Sequence, residues 1–221
     1  ASTDGTPDIF GGTCTYFPKR SIILPEPRGK GKNLLAFAEL AHTDEATYCI
    51  TIDADIRSIT RGWISTLLMP LVSGRADFVS PSYERSKFEG STTNHFAYPV
   101  VLATTGKYVR QPIAGDFAFT RALFEIVVNM SVPISANYYG IDIYLTLLAL
   151  TNGLRHEQVN LGQKIHNPSF HKLEYMFPQI ASTVLSVFRR MKFLRAALQN
   201  DTLVGSNILS SAKFTHREPA I

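Results

Sequence analysis

The sequence predicts an α/β fold in which a sheet of mostly parallel strands is flanked by helices. Short apolar runs alternate along the chain with segments whose apolar residues recur at helical spacing. One of these runs ends in two aspartates, and no linker rich in Gly, Pro or Ser divides the 221 residues. Because parallel strands need crossover connections, which are usually helices, this alternation favours one continuous sheet-containing unit.

The first half of the chain shows the alternation most clearly. Its predicted elements are a strand at 21–24, a helix at 33–41, a strand at 48–53, a helix at 63–71 and a strand at 76–80. A loop rich in Gly and Lys at 28–32 precedes the first helix. Thr60 stands where it would cap the second helix, since a threonine side chain can accept a backbone N–H there.

The second half contains longer helical segments. A polar loop follows Tyr83 and leads into the next helix. The predicted elements are a helix near 94–105, a strand within 111–119, helices at 121–129 and 140–150, a strand at 156–161 and an amphipathic helix at 176–198. No clear pattern follows residue 200.

The composition is that of a folded protein, with 45% hydrophobic and 18% charged residues. The longest apolar stretches, such as Ile143–Leu150, are far shorter than the ~20 residues of a membrane-spanning helix. No basic segment followed by an apolar one opens the chain as an export signal would. Cys14 and Cys49 are too few for a zinc pattern or a disulfide framework, and we interpret them as structural thiols. We therefore expect no membrane span and a cytoplasmic location.

The formal net charge of +4 is compatible with nucleic acid, an acidic membrane surface or small anionic substrates. The basic residues are dispersed apart from two short clusters, at 28–32 and 189–192. No zinc-finger spacing or aromatic RNA-binding motif accompanies them. A pocket for phosphates and carboxylates explains the charge equally well, and we expect no nucleic-acid partner.

The apolar run 48–52 leads into Asp53 and Asp55. Alternate side chains of a strand point the same way, so both carboxylates project from one side where the strand stops. Ligands of α/β sheets bind at the carboxyl ends of strands. Two carboxylates there can hold a hard divalent cation beside a ligand's phosphates, although the same pair is common in ordinary loops.

Seven short segments occur in the order found in retaining nucleotide-sugar glycosyltransferases of the GT-A fold. They lie at 2–6, 29–32, 53–55, 90–94, 111–116, 139–142 and 161–166. With this set the chain resembles the enzymes that make glucosylglycerate, mannosylglycerate or glucosyl-3-phosphoglycerate. The resemblance implies a Rossmann-like GT-A catalytic domain over residues 1–172 and a helical extension over 173–221 packed on it. We expect that domain to be N-terminally incomplete, because the first strand of the fold would precede the turn at which the sequence begins.

The resemblance also implies a metal site. Asp55 and His166, and less directly Asp53, would bind Mg²⁺ or Mn²⁺, which suit hard oxygen ligands. His171 is the competing histidine, five residues further on, but it lies outside the matched segments. The metal would stabilise the charge that grows on a diphosphate leaving group.

The donor site implied by the resemblance holds a nucleotide-diphosphate hexose with UDP or GDP as the nucleotide. Lys30 would reach the nucleotide, although a solvated surface loop is the alternative for this lysine. Ala54 and Gly115 would line the donor together with Asp53 and Asp116, whose carboxylates can accept hydrogen bonds from sugar hydroxyls.

The catalytic residues implied by the resemblance are Asp142 and Asp116. Asp142 would face the reacting sugar, and its alternative is a simple helix cap. Arg85, Ser91 and Thr93 would bind the acceptor, with Thr93 on the glycerate moiety. The enzymes for 3-phosphoglycerate carry an arginine at the position of Ser91, which favours free glycerate here.

Together these features predict a metal-dependent, retaining glycosyltransferase that moves glucose or mannose to D-glycerate or a related small acceptor. The same reaction on 3-phosphoglycerate is the nearest alternative. A nucleotidyltransferase would also combine an α/β sheet, a Gly/Lys loop and paired aspartates. A non-catalytic basic module would instead bind nucleic acid with a steep salt dependence. A homodimer is compatible with the sequence.

Overall fold

The computed structural model describes residues 5–24, 29–84, 89–167 and 172–191. The helices are α1 Thr6–Gly12, α2 Lys30–Thr43, α3 Arg61–Val72, α4 Tyr98–Thr105, α5 Arg121–Asn129, α6 Ile141–Thr151 and α7 Leu173–Arg190. The strands are β1 Tyr48–Thr51, β2 Phe78–Glu84, β3 Phe117–Thr120 and β4 His156–Gln163. A π-helical turn, Thr93–Ala97, precedes α4, and a 3₁₀ turn, Ile134–Asn137, precedes α6.

The four strands form one sheet in the order β1-β3-β2-β4. β3 runs antiparallel to both of its neighbours, whereas β2 and β4 are parallel. β1, β2 and β4 therefore run in one direction, as the alternation predicts, but the inserted β3 leaves only one parallel pair. The carboxyl ends of these three strands and the start of β3 consequently share one edge of the sheet.

Helices cover both faces of the sheet. On one face α3 contributes Leu67, which packs with Val79 and Ala118. On the opposite face Phe117 and Phe119 belong to one core cluster with residues of α2, α4, α5, α6 and α7. Alternating side chains of β3 thus serve two separate cores. Each fully buried side chain of this size contributes about 1.5–3 kcal/mol relative to exposure, so both layers hold the sheet in place.

Helix α6 lies in the middle of the structure. All its residues from Ile141 to Leu150 are buried. A helix that is apolar on every side is expected to be surrounded by protein. Its first turn carries Asp142, the one acidic residue in that turn, to the edge of the sheet where the strands end.

Most of the predicted helices and strands are confirmed, with shifts of a few residues at their ends. The predicted strand at 21–24 is wrong: this segment is in no strand, and Ile23 is 90% exposed. β-type residues form a strand only beside a partner strand, which local composition cannot supply. Thr60 does stand at the N-cap of α3, but its side chain makes no capping hydrogen bond.

The C-terminal helix α7 packs into the same core as α6. Ile180, Val184 and Val187 are buried there, and Gln179 Oε1 accepts a 2.9 Å hydrogen bond from the backbone N–H of Tyr139. The part of the predicted helix beyond residue 191 lies outside the described residues, and the boundary at 172/173 stays a prediction. No helix in the described part of the chain has the length and apolar character needed to cross a bilayer.

Candidate active site

A cavity of about 400 Å³ lies at the edge where β1 and β4 end and where α2 and α6 begin. Its polar lining comes from the strand ends, the two helix starts and the loop before α4. It includes Lys30, Asp53, Asp55, Ser91, Thr93, Asp142, Lys164 and His166. Met176 and Ile180 of α7 form part of its apolar wall. The position matches the place where α/β sheets bind ligands.

Lys30 reaches the cavity because the start of α2 packs very closely on the chain before α6. A Cβ on Gly31 would lie 1.8 Å from the carbonyl oxygen of Ala136, so only glycine fits. The backbone N–H of Gly31 donates to the carbonyl of Tyr138 at 3.1 Å. This close approach holds Lys30 near the first turn of α6. The Gly-Lys-Gly pattern thus has a packing role in addition to any contact with a ligand.

Lys30 joins two carboxylates that come from distant parts of the chain. Its Nζ lies 2.8 Å from Oδ1 of Asp53 and 2.8 Å from Oδ2 of Asp142. Burial alone would lower the pKa of Lys30, but the two carboxylates outweigh it and raise the pKa well above its ordinary value. Lys30 therefore remains a cation.

Asp142 is the most deeply placed carboxylate of the cavity wall, at 7% exposure. Burial raises its pKa, and Lys30 only partly opposes that effect. Its Oδ2 accepts from Lys30, whereas its Oδ1 is buried and has no hydrogen-bond partner. A buried acceptor without a partner costs free energy, and a ligand that donates to this oxygen would remove that cost.

Asp53 is held between two lysines. Its Oδ1 pairs with Lys30, and its Oδ2 lies 3.4 Å from Nζ of Lys164. Burial would raise the pKa of Asp53, but Lys30 and Lys164 together lower it below its usual value. Gly115, at φ 80°, packs on this side chain: a Cβ there would lie 2.3 Å from Oδ2 of Asp53. Asp53 is therefore ionised, immobilised and largely turned toward protein.

Asp116 lies behind the cavity rather than on its wall. It is 0% exposed. Its Oδ1 accepts from the backbone N–H of Asp53 at 2.9 Å, and its Oδ2 accepts from Lys164 at 2.6 Å and from the hydroxyl of Tyr83. These contacts make it a support for the Asp53 loop. Its predicted roles in catalysis and sugar binding stay predictions.

Lys164 and Tyr83 were not among the predicted site residues. Lys164 lies inside the matched segment 161–166, two positions before His166, so a signal for it was present. Its side chain is 4% exposed, and its ammonium lies 5.1 Å from the centre of the Tyr83 ring. Tyr83 is the last residue but one of β2 and belongs to no distinguishing motif, so only the fold brings it to Asp116.

Asp55 and His166, the two proposed direct metal ligands, line the same cavity. In the described residues no hydrogen bond or ion pair engages the Asp55 carboxylate. Nδ1 of His166 lies 2.7 Å from the carbonyl of Asn167, which leaves Nε2 for another partner. No three His, Cys, Asp or Glu side chains among these residues lie close enough to hold a metal by themselves. The donor set fits an open site with two protein ligands whose remaining positions a diphosphate would complete.

Two of the three predicted acceptor residues, Ser91 and Thr93, line this cavity. Thr93 is 5% exposed and lines it together with exposed Ser91 and with Glu89, which was not predicted to have a role. Arg85 lies outside the described residues, as does His171, the competitor of His166.

A second, more open cavity of about 640 Å³ adjoins the first. The two share five lining residues, Lys30, Asp53, Asp55, Tyr139 and Lys172. Ala54 and Gly115, both predicted to line the donor, are found here. Its apolar wall is formed by Leu34, Phe37, Ile50 and Ile52. A ligand longer than either cavity could therefore extend across Asp53 and Asp55 from one to the other.

The sequence matches the family model of glycosyl transferase family 2 over residues 1–130. That match includes Lys30, Asp53, Asp55 and Asp116 but ends before Asp142 and His166. No curated protein sequence matches the chain.

Solved structures of glucosyl-3-phosphoglycerate synthase from Mycobacterium tuberculosis are similar to this chain. The complex with Mn²⁺, UDP-glucose and phosphoglyceric acid has 26% sequence identity and a TM-score of 0.61. The complex with Mg²⁺ and UDP has 25% identity and a TM-score of 0.60. In both cases the match covers 74% of this chain and 56% of the synthase. The structure of a mycobacterial protein with 26% sequence identity matches with a TM-score of 0.67. The match covers 84% of this chain and 61% of the mycobacterial protein.

Proposed function

We propose that this chain, which belongs to glycosyl transferase family 2, transfers a hexose from a nucleotide-diphosphate sugar to D-glycerate or a related small hydroxy acid. The α/β fold of the GT-A class is as predicted. The observation that carries the proposal is the set of residues that line one cavity. Asp55 and His166 line it from two strand ends, and Lys30 and Asp142 line it from two helix starts.

The charge of the cavity supports a metal-assisted reaction. Among the described residues, four carboxylates, of Asp53, Asp55, Glu89 and Asp142, line it against the ammonium groups of Lys30, Lys164 and Lys172. A diphosphate would meet a net negative wall, so its binding requires added positive charge. Mg²⁺ or Mn²⁺ held by Asp55 and His166 would supply that charge and stabilise the departing nucleoside diphosphate.

The remaining roles follow from where the side chains lie. The second cavity, with Ala54 and Gly115, would take the nucleotide part of the donor, and Lys30 stands where the two cavities meet. Asp142 would place a carboxylate oxygen beside the donor sugar. There it can accept a hydrogen bond from a substrate hydroxyl or stabilise positive charge that develops on the sugar ring. Retention of configuration comes from the resemblance and stays part of the proposal.

The described residues that were predicted to bind the acceptor favour an acceptor substrate without a phosphate. Ser91 supplies no cation, and Glu89 adds a carboxylate beside it. The structures of glucosyl-3-phosphoglycerate synthase contain phosphoglyceric acid, and 3-phosphoglycerate is accordingly the alternative acceptor. A nucleotidyltransferase remains the alternative reaction, and it would consume a nucleoside triphosphate and release pyrophosphate.

The test is a donor and acceptor screen with Mn²⁺ present. Thermal shift first identifies which nucleotide sugar stabilises the protein, since a ligand that binds only the folded state raises its stability. The identified donor is then incubated with D-glycerate or 3-phosphoglycerate, and the products are analysed by mass spectrometry. A glycosylated acid together with free nucleoside diphosphate is expected. In a parallel reaction with a nucleoside triphosphate in place of the nucleotide sugar, pyrophosphate and a nucleotidylated product would contradict the proposal.

Three further expectations from the sequence stay predictions. These are a cytoplasmic location, a homodimer and the lack of a nucleic-acid partner.

A further inference from the structure

Two pairs of residues with the same spacing meet at the edge of the sheet. Asp53 and Asp55 follow β1, and Lys164 and His166 follow β4. The first members of the two pairs contact each other, with 3.4 Å between Lys164 Nζ and Asp53 Oδ2. The second members, Asp55 and His166, both line the 400 Å³ cavity. The inner contact therefore lies two residues before each of the two proposed metal ligands, in the wall of the same cavity.

The inner contact belongs to a buried cluster that Lys164 completes. Its ammonium donates to Oδ2 of Asp116 at 2.6 Å and to the carbonyl of Ala114 at 2.9 Å. The Asp116 side chain is 0% exposed and that of Lys164 is 4% exposed. A buried pair with this many hydrogen bonds has one well-defined geometry, because any other arrangement would leave a charge without a partner.

The segments that carry the two proposed ligands are also joined at their outer ends. The backbone N–H of Arg57 donates to the carbonyl of Ile165 at 2.8 Å, and the backbone N–H of Ile165 donates to Ser58 Oγ at 2.9 Å. These contacts hold the segments side by side at the surface. They do not touch Asp53, whose orientation depends on the two lysines and on the backbone bond to Asp116.

We propose that Lys164 is a positioning residue for the metal site. By tying Asp53 and Asp116 to the end of β4, it brings Asp55 and His166 to the distance and orientation at which both can bind one divalent cation. The inference rests on the proposed function and adds to it a residue whose ammonium is engaged by Asp53, Asp116 and the carbonyl of Ala114.

The direction in which metal affinity changes when Lys164 is removed distinguishes a positioning role from a purely electrostatic one. Lys164 is a cation beside a proposed cation site, so by Coulomb's law its removal should tighten metal binding. If its role is to position the ligands, its removal should weaken metal binding. Loss of a group that orients metal ligands typically lowers affinity about 10–100-fold.

The experiment measures Mn²⁺ affinity of the full protein from the electron paramagnetic resonance signal of free Mn²⁺. Lys164→Met is compared with Lys172→Met, which removes an exposed lysine from the wall of the same cavity. The double variant Lys164→Met/Asp116→Asn removes both buried charges, which avoids the uncompensated carboxylate that could unfold the single variant. Circular dichroism confirms that each variant is folded.

We expect at least about tenfold weaker Mn²⁺ binding in both Lys164 variants and unchanged or tighter binding in Lys172→Met. Unchanged or tighter binding in the folded Lys164 variants would overturn the positioning role and leave the proposed function intact. Equally weakened Mn²⁺ binding in Lys172→Met would also overturn the positioning role, since the loss of any lysine from the cavity wall would then weaken binding. A wild-type protein that binds no Mn²⁺ would overturn the metal site itself, and this inference with it.

Discussion

The ammonium of Lys30 lies 2.8 Å from the carboxylate of Asp142, although 112 residues separate them in the chain. The contact joins the first residue of α2 to the first turn of α6 in the wall of the cavity. Only one oxygen of Asp142 is engaged, and the other is buried without a partner. A residue that served only as a helix cap would not need this arrangement.

Asp142→Asn should therefore reduce the rate far more than the stability. Asn has nearly the same shape, and no capping bond is lost, because the N-cap of α6 is Gly140 and no side chain caps this helix. Loss of a preorganised charge facing the reacting sugar should lower kcat by about a hundredfold. The measurements are kcat with the identified donor and the melting temperature. Asp8→Asn, in the first turn of the exposed helix α1, is the matched control and should leave both values unchanged. An unchanged kcat in Asp142→Asn would remove this residue from the site.

Asp55→Ala or His166→Ala should abolish the stimulation of turnover by Mn²⁺ while the protein remains folded. Asp55 is exposed and His166 is half-buried, so neither truncation opens a cavity in the core. The measurement is turnover against Mn²⁺ concentration, with circular dichroism as the check of folding. His95→Ala, at an exposed position of the π-helical turn, serves as the control. If His166→Ala kept normal turnover in limiting Mn²⁺, His171 would be the next candidate.

Ser91→Arg should shift acceptor preference toward 3-phosphoglycerate. A guanidinium at this exposed position of the cavity wall would pair with a phosphate. The shift should be at most about 1.5–3 kcal/mol, the size of a hydrogen bond to a charged group. It is measured as the ratio of kcat/KM for the two acceptors. Ser131→Arg adds the same charge at an exposed position away from the cavity and should not change the ratio. A wild-type protein that prefers 3-phosphoglycerate would contradict the proposed acceptor.

Gly115→Ala should destabilise the protein and disturb Asp53. The new Cβ would lie 2.3 Å from Oδ2 of Asp53, and the backbone has a φ of 80°. Gly106→Ala is the matched control, because its φ is 67° but nothing lies within 4 Å of the added atom. Both variants pay for the left-handed backbone, about 1–2 kcal/mol. Urea unfolding should show a larger loss for Gly115→Ala, and equal losses would show that Asp53 moves aside freely.

Stability should fall in mild acid because of His156, the first residue of β4. Its Nε2 lies 2.8 Å from Oγ of Ser80 in the interior. Burial, and to a smaller extent Lys107, lowers the pKa of His156 from 6.5 to about 4. Because the folded pKa is the lower one, the unfolded state binds more protons between these values. The contribution is complete above pH 6.5 and is lost as the pH falls to about 4.

The loss should be on the order of 3 kcal/mol, from about 1.4 kcal/mol per pKa unit. Urea unfolding at pH 7 and pH 4.5 measures it as the difference in pH dependence between wild type and His156→Gln. His95→Gln, at an exposed histidine, should retain the pH dependence of the wild type. Identical pH dependence in wild type and His156→Gln would contradict the assignment.

Local pattern was sufficient for much of this protein. Apolar spacing located the helices from α2 to α7, and the strand before Asp53 and Asp55. The order of the short motifs pointed to the side chains that share the cavity, among them Lys30, Asp142 and His166. Spacing and motif order report which side of a segment is apolar and which ligand chemistry it carries, and neither depends on distant residues.

Tertiary structure alone decided the strand neighbours and the partners of each charge. β3 lies antiparallel between β1 and β2, and residues 21–24 pair with no strand. Asp53 is engaged by two lysines that lie 23 and 111 positions away, and Asp116 is closed off behind it by Lys164. A carboxylate looks the same in a sequence whether it awaits a metal or is already neutralised. A carboxylate that can bind a metal differs from one that is already paired in its burial and in its nearest opposite charge. Both are set by tertiary packing.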